Sequence, residues 1–246
     1  LEEIVDRLTE ALPETSPGAR GPVALQLGQA LVILRDGPGL QALLDEAGED
    51  DVKLAALYAL VNMGSDKAYS TVVTLYAQTK SENIRSKIVY VLGSFDSPEA
   101  RKKLAEIALN DKSSKVRRDA VYAIANDDSP EVLEALKKIV SSKVEAEVRK
   151  AALYALGSHG EGDTAIVAYL GQIARTDPDE EIAKTATYAL GEWRSGKAGA
   201  DELRRIMKEA KSPEVKKAAL HVLGNSRDKE SVAVIYLEER IGQDNG

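Results

Sequence analysis

The chain has 246 residues, 43% hydrophobic and 30% charged, and its 40 acids against 33 bases give a formal net charge of −7. The absence of cysteine excludes disulfides, zinc–thiolate and iron–sulfur sites and a cysteine nucleophile. Nine tyrosines, one tryptophan and one phenylalanine are too few aromatics for an aromatic-rich β-sandwich, so the core must come from Leu, Val, Ile and Ala. In chain order, Leu1 to Leu12 is predicted as an amino-terminal helix. PETSPGARGP, from Pro13 to Pro22, has the composition of a linker. Pro22 to Arg35 and Pro38 to Gly48 are predicted to form a divergent helix pair. No run approaches the roughly 18 apolar residues a membrane span needs, so a soluble chain is expected, compatible with the cytoplasm and with export to a bacterial envelope alike.

From Val52 onward the chain repeats itself. VKLAALYALVNMG from Val52, IRSKIVYVLGSFD from Ile84, VRRDAVYAIANDD from Val116, VRKAALYALGSHG from Val148, IAKTATYALGEWR from Ile182 and VKKAALHVLGNSR from Val215 align without gaps, with starts 32, 32, 32, 34 and 33 residues apart. Counting the first residue of each copy as position zero, a β-branched residue stands there, and small or aliphatic residues recur at positions four, five, seven and eight. Positions zero, four, seven and eight share one helical face.

Between these helices lie second amphipathic stretches, from Ser97, Ser129 and Ala200. Ser97-Pro98-Glu99 and Ser129-Pro130-Glu131 are start signals: serine caps free amides, proline suits the first turn and glutamate complements the helix dipole. Ser212-Pro213-Glu214 and Asp177-Pro178-Asp179 are expected to open the repeat helices in the same way. Glycines 93, 157, 191 and 224, at position nine, are expected to serve close packing or helix termination.

Two helices per copy cannot bury their apolar faces alone and must stack on neighbouring copies. The repeats resemble the HEAT-like family, particularly the short bacterial type found in phycobilin lyases, with its V-R-x-x-A-[AV]-x-[AV]-[LI]-G helix. The resemblance implies an all-α fold, a right-handed α-α superhelix of about seven helical pairs. One continuous domain over residues 1–246 is expected, with divergent helices over 1–51, regular repeats over 52–241, and Asp228 to Ile241 closing the far end.

Position six holds Tyr58, Tyr90, Tyr122, Tyr154, Tyr188 and then His221. The rings either pack on one another as a stabilising stripe or form a binding surface, for which tyrosine offers rigid amphipathic area at low entropy cost. In the resembling family this helix lines the concave face, which implies a tyrosine-lined groove centred on Tyr90, Tyr122 and Tyr154. Position ten, one turn further, holds Asn62, Ser94, Asn126, Ser158, Glu192 and Asn225. Helix-end capping accounts for these, and they are also similar to the asparagine ladder with which armadillo repeats hold an extended peptide. Stacked helices lie roughly 8 to 10 Å apart and an extended chain advances about 3.3 Å per residue, so each copy addresses about three residues of a ligand. At position one, Lys53, Arg85, Arg117, Arg149 and Lys216 are expected to pair between repeats. Position two carries Arg118, Lys150, Lys184 and Lys217, with Lys87 adjacent; these are solvated, or hold carboxylates or phosphates of a partner.

Chemistry is poorly supported. His159 and His221 are the only histidines, and neither precedes a glutamate, unlike the repeated His-Glu pairs of the HEAT-like deoxyhypusine hydroxylases. His159, Glu161 and Asp163 share a turn that is better read as a solvated loop than as a metal site. Trp193 and Phe95, at position eleven, are expected to pack. No phosphate-cradling glycine loop and no G-x-S-x-G occurs. No catalytic constellation, metal or cofactor is therefore expected. The expected function is noncatalytic binding or scaffolding, receiving a protein or extended peptide on Tyr58, Tyr90, Tyr122, Tyr154, Tyr188, Asn62, Asn126, Arg118, Lys150 and Lys184. The alternatives are single-stranded nucleic-acid binding by tyrosine stacking and the basic residues, which the acidic balance disfavours, and a regulatory repeat domain of a larger enzyme.

Overall fold

The computed structural model of the protein describes residues 2–34, 58–59, 68–159, 163–192 and 197–225. Pro38 to Gly48, Lys53, Asn62, Trp193 and Asp228 to Ile241 lie outside these residues. Regular structure among the described residues is entirely helical. Contacts divide the chain into two compact units, Leu1–Leu104 and Ala105–Gly246.

In the first unit, α1 (Glu2–Glu14) packs on α2 (Pro17–Leu34), and α3 (Ala68–Gln78) on α4 (Glu82–Leu92). The expected linker from Pro13 to Pro22 is not a linker: only Thr15 and Ser16 leave the helical conformation. Pro17 occupies the first turn of α2, where its missing N–H costs nothing, and the Ser16 carbonyl accepts from the amides of Ala19 and Arg20 at 2.9 and 3.2 Å. The Arg20 side chain then reaches back to the carbonyls of Thr15 and Pro13 at 2.9 and 3.1 Å, satisfying groups that the end of α1 leaves free. Ser81 caps α4 through the Ile84 amide. In α5 (Pro98–Asn110) the expected cap forms, with Ser97 Oγ accepting from Ala100 N at 3.2 Å.

The second unit contains α6 (Ser114–Ile124), α7 (Pro130–Val140), α8 (Ala146–His159), α9 (Thr164–Thr176), α10 (Glu180–Ala189, continued by a 3₁₀ turn to Glu192), α11 (Lys197–Glu209) and α12 (Pro213–Asn225). The repeat-motif helices touch in succession, α6 to α8 to α10 to α12, while α7 pairs with α8, α9 with α10 and α11 with α12. This is the stacking of an α-solenoid, and the predicted periodicity accounts for it. Val116, Val148, Ile182 and Val215 at position zero, and Ala120, Ala152, Ala186 and Ala219 at position four, are all buried, as are Ile124, Leu156, Leu190 and Leu223 at position eight. Burying each large aliphatic side chain stabilises the fold by roughly 1.5–3 kcal/mol. The alanines let the backbones come close.

Two of the four start signals work differently from expectation. At α7 the Ser129 hydroxyl is buried and makes no hydrogen bond among the described residues; the serine amide instead donates to Asp127 Oδ1 at 2.7 Å. At α10 the cap is Asp179, not Asp177: its carboxylate accepts from Glu181 and Ile182 at 2.9 and 3.3 Å. Ser212 behaves as expected, accepting from Glu214 and Val215 at 3.1 and 3.3 Å, and it also donates to Glu180 of the preceding copy at 2.6 Å.

The second helices are joined by a contact with no periodic signature. Tyr169 of α9 donates its hydroxyl to the Lys137 carbonyl of α7 at 3.0 Å and lies 3.2 Å from Ser141 Oγ, with the Lys137 ammonium 5.9 Å from the ring centroid. Burial pushes the Tyr169 phenol above the ordinary tyrosine range, against the pull of the Ser141 hydrogen bond and of Arg149 and Lys137.

Position nine separates two uses of glycine. A Cβ on Gly157 would stand 2.7 Å from the Ala189 carbonyl oxygen, and one on Gly191 2.7 Å from a Val222 methyl, whereas one on Gly224 would meet nothing within 4 Å among the described residues. Gly157→Ala is therefore expected to force α8 and α10 apart and cost about 1–3 kcal/mol. Gly224→Ala should gain about 0.4–1 kcal/mol by restricting the unfolded chain. Urea denaturation of the two variants must move in opposite directions. Tyr169→Phe should cost about 1 kcal/mol at neutral pH through the lost hydrogen bonds. Because the folded-state phenol is raised, its contribution is complete below about pH 10 and is lost as pH rises through the folded value. A pH series of chemical denaturation should thus show Tyr169→Phe losing stability less steeply than the wild type above about pH 10.

Candidate protein-binding face

Position six points away from the core. In the second unit Tyr122, Tyr154 and Tyr188 are 54%, 47% and 40% exposed, although a buried residue immediately precedes each of them in the chain. They sit on α6, α8 and α10, which touch in succession, so the tyrosines form a row with one rung per helix. Among the described residues, the large hydrophobic side chains that remain exposed are Ile4, Leu25 and the four tyrosines at position six of α4, α6, α8 and α10. The last rung is His221 of α12, whose ring meets Tyr188 edge to face, with centroids 6.4 Å apart and an 80° interplanar angle. Among the described residues no ring contact joins Tyr122 to Tyr154 or Tyr154 to Tyr188. The expected stripe of mutually stacked rings is thus realised only at its end. In the first unit, Tyr58 is half-buried and Tyr90 is 72% exposed. Burial raises the Tyr58 phenol above its ordinary range, and the neighbouring Tyr90 phenol adds to the shift.

Position ten is mostly occupied with its own helix. Ser94 and Ser158 turn their hydroxyls back onto the carbonyls of Val91 and Ala155 at 2.7 and 2.8 Å, the local bonding that makes serine common at helix ends. Asn225 Nδ2 lies 3.0 Å from His221 Nε2. Asn126 is exposed, with no hydrogen bond of its side chain among the described residues. An asparagine ladder is therefore reduced to single rungs.

The two basic columns have different fates. At position one, Arg117 and Arg149 are clasps. Each donates Nε to the carbonyl of a residue just upstream, Asp111 for Arg117 and Val140 for Arg149, and each pairs with an acid at the next copy, Glu145 and Asp177. Arg85 reaches the Lys80 carbonyl at 3.0 Å in the same manner. Since Asp179 caps α10, Asp177 is left for Arg149. At position two, Lys150, Lys184 and Lys217 pair with Glu147, Glu181 and Glu214, three residues back on the same helix, at 3.3, 2.6 and 2.7 Å. Hydrogen bonding to Glu181 raises the Lys184 ammonium above the usual lysine range, and the hydrogen bond from Lys217 lowers the Glu214 carboxyl. Arg118 has no such partner: position minus one of α6 is Lys115.

The remaining expectations fall into place locally. Phe95 packs edge to face on Tyr69 with centroids 5.8 Å apart. Asp163 is the cap of α9, accepting from Ala165 and Ile166 at 2.7 and 3.3 Å. The ion cluster between α9 and α11, where Arg175 pairs with Glu202 and with Glu209, has no signature in the repeat pattern, because the second helices lack a regular column.

The family described as HEAT repeats matches residues 37–125, 102–168 and 167–246. The chain belongs to the HEAT-repeat family. HEAT repeats are generally noncatalytic scaffolds that commonly bind proteins, and no described helix of this HEAT-repeat protein is long and apolar enough to cross a membrane. Comparison with curated proteins gives no match. Among solved structures it is similar to human deoxyhypusine hydroxylase in complex with glycerol, at 19% identity and a TM-score of 0.40, covering 90% of this chain and 85% of that one. It is also similar to a structure from the computational design of self-assembling cyclic protein homo-oligomers, at 17% identity and a TM-score of 0.16, covering 94% and 77%. At these scores neither likeness bears on activity or assembly.

The Arg149–Asp177 clasp is the most enclosed of the position-one pairs, the two side chains being 16% and 6% exposed. Asp177→Asn keeps the oxygen that accepts from Asp179 N but leaves the guanidinium uncompensated. It should cost roughly 3 kcal/mol, read as a lower urea midpoint with unchanged helicity at 25 °C.

Proposed function

We propose that this chain is a noncatalytic binding or scaffolding module that receives a protein or an extended peptide on its tyrosine-bearing face, with Tyr122, Tyr154 and Tyr188 as anchors in the second unit. The observation that carries the reading is their exposure at one position of successive stacked helices. An exposed apolar row of this kind costs solubility without adding to the core, and aromatic anchors dominate the energetics of binding surfaces. Tyr58 and Tyr90 hold the same position in the first unit. Asn126 is free to bond a ligand backbone, whereas Ser94 and Ser158 must first release their own helices.

Single-stranded nucleic acid fits this face less well. A strand presents a phosphate at every nucleotide, while Lys150 and Lys184 are matched one for one by glutamates of the same face. A regulatory role within a larger enzyme would use the same surface, with the enzyme as the partner. Tyr122→Ala combined with Tyr154→Ala should remove at least nine-tenths of the partner captured from a nuclease-treated lysate of the source organism, with circular dichroism unchanged. Capture that is undiminished by a folded double variant would refute the reading.

A further inference from the structure

Within the row of the second unit the charges are not evenly distributed. On α8, α10 and α12 the glutamate at position minus one and the lysine at position two form a pair, Glu147 with Lys150, Glu181 with Lys184 and Glu214 with Lys217. At these two positions each of these rungs is neutral. On α6 the same two positions are Lys115 and Arg118, on either side of the direction in which Tyr122 projects. Among the described residues neither takes part in an ion pair. The carboxylate nearest in position is Asp119, at position three, one turn beyond Lys115 and on the flank of Tyr122 away from Arg118, so the rung keeps a net positive charge; Asp111 and Glu145 are already engaged with the amide of Ser113 and with Arg117. The α6 rung thus combines an exposed aromatic ring, a half-exposed guanidinium, a lysine and the free amide of Asn126, and is the cationic rung among four.

We infer that the α6 rung is a carboxylate-reading subsite: the partner is an extended peptide segment that places an aspartate or glutamate side chain on Arg118 beside Tyr122, and an apolar side chain on Tyr154 of the next rung. This rests on the proposed use of the tyrosine face. Three arguments support an acidic peptide. A guanidinium presents parallel donors that match a carboxylate in a bidentate pair, and next to an aromatic ring the pair is sheltered from water. The neutral rungs beyond α6 neither attract nor repel charge, so the ligand needs acid at one place and apolar or neutral polar residues elsewhere. Rungs roughly 8 to 10 Å apart and about 3.3 Å per extended residue put the apolar residue about three positions from the acid. The single charged contact then fixes the alignment of the segment, while the tyrosines supply most of the affinity.

A phage-displayed library of random dodecapeptides selected on the full chain tests this, with affinities of the enriched peptides measured by fluorescence anisotropy on the wild type, Arg118→Glu, Arg118→Lys and the Tyr122/Tyr154→Ala double variant. The expected result is enrichment of Asp or Glu about three positions from an aromatic or aliphatic residue. Binding should weaken at least 10-fold in Arg118→Glu and less in Arg118→Lys, and selection on Arg118→Glu should yield a basic residue at that place. Tyrosine-dependent peptides without an acidic position, or affinities that Arg118→Glu leaves unchanged, would overturn the carboxylate subsite and leave the tyrosine face standing. Enriched peptides indifferent to the tyrosine substitutions would overturn both. Tighter binding of a dodecathymidylate than of any peptide, lost in Arg118→Glu, would assign the cation to phosphate. A homo-oligomer in sedimentation that Arg118→Glu dissolves would assign the face to a second copy; either result overturns the inference.

Discussion

The approach of one repeat helix to the next sets the rest of the second unit. Gly157 faces Ala189 so closely that a Cβ at that position would enter the space of a backbone oxygen, and alanines at position four of α6, α8, α10 and α12 are fully or almost fully buried. Small residues let the backbones come near, and near backbones bring the aliphatic residues at positions zero and eight into one continuous core. A helix pair with only its own partner would leave that face in water, so burial is obtained only by stacking. The consequence for the surface is geometric: whatever stands at position six is carried outward once per helix.

Charge in this protein serves two separate tasks. Arg117 and Arg149 at position one are largely enclosed, and each bonds both a carbonyl at or just past the end of the preceding helix and an acid of the next copy, so they tie repeats together where apolar contact ends. Lysines at position two are on the open face and are neutralised by glutamates a turn earlier, pairs of a kind that contribute little to stability. At positions minus one and two they leave three of the four rungs of the second unit with balanced charge. The departure from this pattern at Lys115 and Arg118 lies outside the buried core.

Membership in the HEAT-repeat family places the chain among scaffolds rather than assigning it a reaction, and the features of the face agree with such a role. Polar groups that would serve chemistry are mostly committed to local structure. Asp163 and Asp179 cap helices, Thr185 and Thr187 bond carbonyls of their own helix, and Arg175 is held by Glu202 and Glu209. Among the described residues, Tyr122, Tyr154 and Tyr188 remain exposed on α6, α8 and α10.

The sequence by itself determined the α-solenoid, because a strict period of 32 to 34 residues with apolar positions at helical spacing has one physical solution, stacking. It also determined that position six faces outward, since positions four, five, seven and eight are claimed by the core. Tertiary structure decided what local signals left open. The Pro13 to Pro22 segment has linker composition, yet a proline at the start of a helix and an arginine folded back on free carbonyls make it a tight helical corner. Asp177 stands where the start signal puts the cap, yet it pairs with Arg149 and Asp179 caps α10 instead. Whether the tyrosines stack on one another, and that Tyr169 would tie α9 to α7, depend on distances between residues about 30 apart in the chain. Such distances follow from the rotation and spacing of packed helices, which a repeat pattern implies only on average.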